Sequence, residues 1–162
     1  MRRLPFRHPD HLPGAFAGVG ETVADSGVVL LPTETFYGLA VAVDDPVAVE
    51  RVFELKARPR GMSLPVLCCD WVQAESLVEI PGAHRDRLSQ LWPGALTVIL
   101  PARRPLACAG GGTLAVRIPD HALVRALLHR LGPLTATSAN RHGDPPPRGW
   151  RRPSAPWTDP PT

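Results

Sequence analysis

Short apolar runs of four to six residues alternate along this chain with longer stretches in which apolar residues recur every three or four positions. That alternation predicts an α/β domain. Residues 15–26 read as a first helix, which Gly27 stops as a C-terminal glycine does. Val28-Val29-Leu30-Leu31 is a continuous aliphatic run and predicts a strand buried on both faces. A polar turn at 33–36 and a second apolar strand at 38–43 follow. Asp45-Pro46 supplies an N-cap and a first-turn proline, and Val49, Val52, Phe53 and Lys56 keep the helical period up to Arg58, where Pro59 ends it. Beyond lie a strand at 64–68, a short helix from Asp70 to Leu77, a helix at 81–91 and a strand at 96–100. Gly110-Gly111-Gly112 reads as a flexible loop before a strand at 114–117. A helix opening at Pro119-Asp120 presents Leu123, Leu127 and Leu131, and a last strand at 134–137 runs into Ser138-Ala139-Asn140.

The expected organisation is an N-terminal arm (1–14), one domain (15–146) and an irregular tail (147–162). Seven of the last 19 residues are proline, and no apolar period continues there. At 162 residues and 44% hydrophobic content the chain is long enough to bury one core. No apolar run approaches the roughly 18 residues of a membrane span, and no signal peptide follows Met1, so a cytoplasmic protein without membrane partners is expected. His8 and His11 sit in a proline-rich start expected to fray. Cys68, Cys69 and Cys108 have neither zinc spacing nor an even number and read as reduced, buried small residues. No metal ligand is identified.

The chain holds seventeen arginines and a single lysine, Lys56. An ammonium kept at one place suits a task that a planar guanidinium would serve badly; a lysine on a solvated helix end accounts for it equally well. The excess positive charge lies at the two ends, leaving residues 11–140 with eleven basic against twelve acidic groups. Contact with RNA would therefore need a local patch or the end segments.

Four polar clusters fall at predicted strand or helix ends, where an open α/β sheet places its crevice: Thr33-Glu34-Thr35 with Tyr37, Lys56 with Arg58, Thr113 with Arg117, and Thr137-Ser138-Ala139-Asn140. Each alone has an ordinary reading as a turn, strand end or cap. Together they predict an anion site built from side chains, with Lys56 and Arg58 turned toward one hollow by the proline stop. Neither a phosphate-cradling glycine loop nor a hydrolytic motif is present. His121 and His129 read as surface residues of one helix.

Pro32-Thr33-Glu34-Thr35-Phe36-Tyr37-Gly38-Leu39, Lys56-Ala57-Arg58-Pro59, Leu64-Pro65-Val66-Leu67, Trp92-Pro93-Gly94-Ala95-Leu96-Thr97, Leu114-Ala115-Val116-Arg117-Ile118-Pro119-Asp120-His121 and Thr137-Ser138-Ala139-Asn140 together resemble the YrdC/Sua5 family, across about residues 15–146. The resemblance implies a single-domain twisted mixed sheet with flanking helices and a concave cleft. It implies an L-threonylcarbamoyladenylate synthase, a nucleotidyltransferase that makes threonylcarbamoyl-AMP and pyrophosphate from L-threonine, bicarbonate or CO2 and ATP, for t6A37 modification of tRNA. By resemblance Thr35 and Arg117 hold threonine, Lys56 and Arg58 are catalytic and meet the carbamate and phosphates, and Arg58, Thr113, Ser138 and Asn140 line the nucleotide side. Thr33 and Tyr37 line the cleft. Mg2+ is implied with ATP, without a protein ligand. Contact with tRNA or double-stranded RNA and a downstream threonylcarbamoyl transferase are implied partners. Where members often carry lysine or asparagine followed by proline, this chain has Met62 and Ser63, and residues 148–162 resemble nothing in the family. A shortened, catalytically impaired member that binds RNA or nucleotide is the alternative expectation; a carbamoyl-adenylate domain of larger carbamoyltransferases is a third.

Overall fold

A chain reversal at residues 33–36 folds the first two strands onto each other. β1 (Val29–Pro32) pairs antiparallel with β2 (Tyr37–Ala40), in register from Val29 opposite Ala40 to Pro32 opposite Tyr37. The structure is a computed structural model that describes residues 2–59 and 62–140; the expected tail at 147–162 lies outside the described residues. Before β1, a 3-10 turn (Pro9–His11) leads into α1 (Leu12–Ala24). The expected frayed start is ordered instead: His8 Nδ1 accepts from Asp10 N, and His11 Nδ1 accepts from the Arg7 and His8 amides.

The exit of α1 corrects the reading of Gly27. The left-handed residue is Ser26, at φ 56°, with Ser26 N donating to Val23 O and Gly27 N to Thr22 O at 2.7 Å, the paired bonds of a Schellman ending. Gly27 is needed for closeness, because a Cβ there would lie 2.6 Å from Thr22 O. The same ending closes α2 (Pro46–Lys56), whose N-cap Asp45 accepts from Val47 N and Ala48 N. Ala57 takes the left-handed conformation (φ 49°, ψ 41°), and Arg58 N donates to Phe53 O at 3.0 Å. The turn that reverses the chain is thus made at Ala57, one bond before Pro59 can act.

The remaining elements are β3 (Val66–Leu67), α3 (Trp71–Leu77), α4 (Gly82–Ser89), β4 (Val98–Pro101), β5 (Thr113–Arg117), α5 (Ala122–Leu131), β6 (Leu134–Thr135) and β7 (Thr137–Ser138). The strand expected at 134–137 is split at Ala136: β6 pairs with β3, β7 with β2, and Ala136 N donates to Pro65 O at 2.7 Å. This split stitches two sheets together, one ordered β1-β2-β7 and the other β4-β5-β3-β6. Across the seam Thr135 N donates to Val41 O, while the buried Thr135 hydroxyl accepts from Val41 N. β3 and β5 run parallel and the other pairs antiparallel, the mixed sheet expected. The glycine loop is a tight reversal: Gly111 and Gly112 both have positive φ, and Gly110 and Thr113 exchange backbone hydrogen bonds around them, as a two-residue hairpin turn requires.

Successive strand residues point to opposite faces, and β3 shows it. Val66 joins a core with Val52, Phe53, Leu77, Trp92 and Val116, whereas Leu67 joins Ala15, Val19, Leu31, Val124, Leu127 and Leu134. One core lies under α2 and α3, the other under α1 and α5. The buried face of α5 is carried by Val124, Leu127 and Leu128, with Leu131 of the expected Leu123–Leu127–Leu131 stripe partly buried against the same core. Cys68, Cys69 and Cys108 are free and buried, and burial raises all three thiols, to about 12, 11 and 11. No helix among the described residues is long and apolar enough to cross a membrane.

Candidate functional site

The reversal between β1 and β2 is organised by one hydroxyl. Thr33 Oγ1 donates to Phe36 O at 2.7 Å, accepts from the Thr35 and Phe36 amides, and lies 3.0 Å from Thr35 Oγ1. The turn presents Thr35 and Tyr37 to a hollow of about 160 Å³, closed by Leu67, Arg117, Ala136 and Ser138.

Arg117 ends β5 against this hollow with its side chain 12% exposed. Its Nε donates to Gly94 O at 2.9 Å, Nη1 to Thr35 Oγ1 at 3.3 Å and Nη2 to Glu34 Oε1 at 2.5 Å. A guanidinium has five N–H groups, and these bonds leave two to meet a ligand. Glu34 Oε1 also accepts from Asp120 N at 3.0 Å. Burial works against ionising Glu34, but the bonds from Arg117 and Asp120 prevail and hold its carboxyl below the ordinary value. The guanidinium is therefore pre-aimed and already carries a carboxylate.

Lys56 is 2% exposed. Its Nζ donates to Ser138 O at 2.5 Å and to Asn140 O at 2.6 Å, pinning the end of β7 and the two residues after it to the end of α2. Ser138 O takes a second bond, from Asn140 N, and Ala139 N donates to Tyr37 O. Here lies a use for the lone lysine: a compact ammonium fits between two converging carbonyls, where a planar fork of five donors would not. Burial first, then the Arg58 charge, pushes this ammonium down to about 8. Two of its three N–H groups are committed to backbone. Arg58 Nη2 donates to Ser63 O at 3.1 Å, and its Nε is buried without a hydrogen-bond partner among the described residues.

The expected constellation is thus only partly gathered. Thr33, Thr35, Tyr37, Arg117 and Ser138 meet around the hollow. Lys56 and Asn140 stand behind it, joined through the Ser138 backbone, and Arg58 lies at the Lys56 helix end. The three cations do not line one cavity: Arg117 alone of them faces the hollow. Thr113 is not brought to the group. It starts β5 while Arg117 ends it, about 13 Å apart at strand rise, and its hydroxyl donates to Gly110 O. Sequence reasoning quoted Glu34 and Gly94 without giving either a role. An acid between two threonines at a strand end was the available signal for Glu34. For Gly94 it was the glycine itself, since a Cβ there would sit 2.4 Å from Leu91 O.

Residues 21–152 match the Sua5/YciO/YrdC sequence profile, described as "Telomere recombination". A threonylcarbamoyl-AMP synthase of Bacillus subtilis is 40% identical over 129 residues, which are 76% of this chain and 37% of that protein. One of Chromobacterium violaceum is 41% identical over 124 residues, 74% of this chain and 64% of that protein. Among solved structures, P. abyssi Sua5 complexed with L-threonine superposes with a TM-score of 0.75 at 35% identity, covering 82% of this chain and 40% of that one. The chain spans less than two thirds of the length of each of these three relatives. By the reach of that profile over a sheet, seam and turn of this design, the chain belongs to the Sua5/YciO/YrdC family.

Proposed function

We propose that this chain carries the substrate-holding core of an L-threonylcarbamoyladenylate synthase, using L-threonine, bicarbonate or CO2, and ATP. The observation that carries this reading is the Arg117 fork: fixed by Gly94 O, flanked by Thr35 and seated against a carboxylate, it fronts a hollow of about 160 Å³. An α-amino acid carboxylate takes the two remaining N–H groups or replaces Glu34 on the fork, and charge-assisted bidentate pairing fixes its orientation. The free amine of threonine then adds to the carbon of CO2, one C=O π bond passing its electrons to oxygen, and the nitrogen gives up a proton to solvent. The resulting N-carboxylate oxygen attacks the α-phosphorus of ATP, the bond to the bridging oxygen breaks, and pyrophosphate departs with that electron pair. Such a reaction is served by positioning and charge neutralisation. Arg58, whose buried Nε has no hydrogen-bond partner among the described residues, and the Ser138–Asn140 segment form the nucleotide side in this proposal. Lys56 acts by fixing that segment and offers its third N–H to an anion. Mg2+ would arrive with the nucleotide; Glu34, the carboxylate beside the fork, is engaged by Arg117 and the Asp120 amide, and so does not fit as a metal ligand.

The product is a mixed anhydride that a downstream transferase must consume, with tRNA position 37 as the destination and a direct tRNA or double-stranded RNA contact as part of the same proposal. The test is pyrophosphate release dependent on both L-threonine and bicarbonate; release indifferent to threonine overturns the assignment. Arg117→Lys, which keeps the charge and loses the fork, is expected to lower kcat/KM for threonine by at least about tenfold. An unchanged value removes Arg117 from threonine recognition.

A further inference from the structure

A cluster outside the hollow brings together three groups from two places in the fold, the β3–α3 link and the end of α5. Cys69 follows β3, Asp70 caps α3, and His129 lies in the last turn of α5. One donor atom from each lies within 4.8 Å of the others, and Cys69 Sγ stands 4.0 Å from His129 Nδ1. We propose that Cys69, Asp70 and His129 form a binding site for a thiophilic divalent cation of the Zn2+ class, with water completing a tetrahedron.

Zinc bonds of about 2.3 Å to sulfur and 2.0–2.1 Å to nitrogen at tetrahedral angles place those two ligands about 3.6 Å apart. The observed separation needs to close by only a few tenths of an ångström. The exposed His129 can supply that movement, while the buried Cys69 stays where the core holds it. The supports around the ligands are built. Gln73 Oε1 accepts from Cys69 N at 2.8 Å, and Gln73 Nε2 donates to Leu128 O at 3.1 Å, tying the cysteine's backbone to the helix that carries the histidine. Asp70 Oδ1 accepts from Gln73 N at 2.8 Å, which orients the carboxylate and leaves Oδ2 for the metal. Such outer bonds are what hold ligands in place at metal centres. A thiolate, an imidazole and one carboxylate favour zinc or cobalt over magnesium or calcium. On binding, the Cys69 thiol proton passes to solvent as the S–metal bond forms. Cys68, the adjacent residue, packs in the opposite core and takes no part.

Titration of the full chain with Co2+ tests this, because a cobalt–thiolate bond gives a charge-transfer absorption that histidine or carboxylate sites do not. One equivalent is expected to produce the band, and Zn2+ to abolish it by competition. Cys69→Ser is expected to remove it and Cys68→Ala to retain it. His129→Gln, a change at an exposed position, is expected to weaken binding by at least about tenfold, and Asp70→Asn, which can still cap α3, by a comparable factor. The proposal is overturned if wild-type protein binds cobalt without the thiolate band, for instance at His8 and His11, if the band survives Cys69→Ser, or if His129→Gln binds as tightly as wild type.

Discussion

Glu34 and Lys56 both have their folded pKa lowered, Glu34 by bonds to its charged form and Lys56 by burial against its charged form. The folded Glu34 carboxyl lies below its ordinary value of 4.5, so its pairing contributes stability above that value and loses it as pH falls through the depressed one. Glu34→Gln is therefore expected to cost most near pH 6 and progressively less toward about pH 3, read as the difference in urea midpoint from wild type. Lys56 gives the same direction of pH dependence in a higher window, because burial disfavours its charged form instead of a partner favouring it. Its folded value of about 8 lies below the ordinary 10.5, so the unfolded chain binds more protons between the two and stability from this group rises with pH across that window. The buried thiols push the other way above 9.0, their ordinary value. A comparison with Lys56→Met isolates the lysine, because both proteins share the cysteines. Wild type is expected to gain on the variant between about pH 8 and pH 10; parallel pH curves would show that the ammonium does not titrate in this range.

At the scale of elements, the strain at the end of α2 is local and removable. Ala57 occupies the left-handed region, which costs an L-residue roughly 1–2 kcal/mol, part of it offset by the greater freedom of an unfolded glycine. Ala57→Gly is expected to stabilise by up to about 1 kcal/mol, measured by urea unfolding. Most elements were legible in the sequence, because each has its own periodicity: the strand at Val29, the Asp45-Pro46 cap and the Asp70 cap needed no tertiary information. Their ends were less so. Ser26 rather than Gly27 turns the first helix, and Ala57 rather than Pro59 the second, because the bonds to Thr22 O and Phe53 O select the reversing residue. Ala136 breaks a run that reads as one strand, since Pro65 and β2 claim its two sides. The site was legible to the extent that it uses side chains at strand ends. Lys56 was singled out by composition, but its partners are carbonyls 82 and 84 residues away, and carbonyls leave no mark in a sequence. Cys69 and His129 are 60 residues apart, beyond any spacing rule.

For the whole molecule, Leu134 is a test of whether the two sheets unfold together. It is 1% exposed, pairs with Leu67 across β6 and β3, and bridges Ala42 on the far side of the seam. Leu134→Ala is expected to cost about 2–5 kcal/mol. If the seam unites the sheets, the variant's denaturation curve keeps a single transition with an unchanged slope. A split into two transitions would mean that β1-β2-β7 and β4-β5-β3-β6 are separately stable. The hollow faces both sheets, from Gly38 and Ser138 on one to Leu67 and Arg117 on the other, so its shape depends on that union.

If the guest carboxylate proposed for the Arg117 fork displaces Glu34 instead of taking the two N–H groups left over, occupation of the hollow becomes a swap. In that case the free-energy gain is only what a guest carboxylate achieves beyond the resident one. Preference among amino acids is then left to the hydrocarbon lining at Pro65 and Leu67 and to the hydroxyl of Thr35. Discrimination by this pocket would rest on the guest's side chain, its acid group serving as an admission token that every amino acid carries.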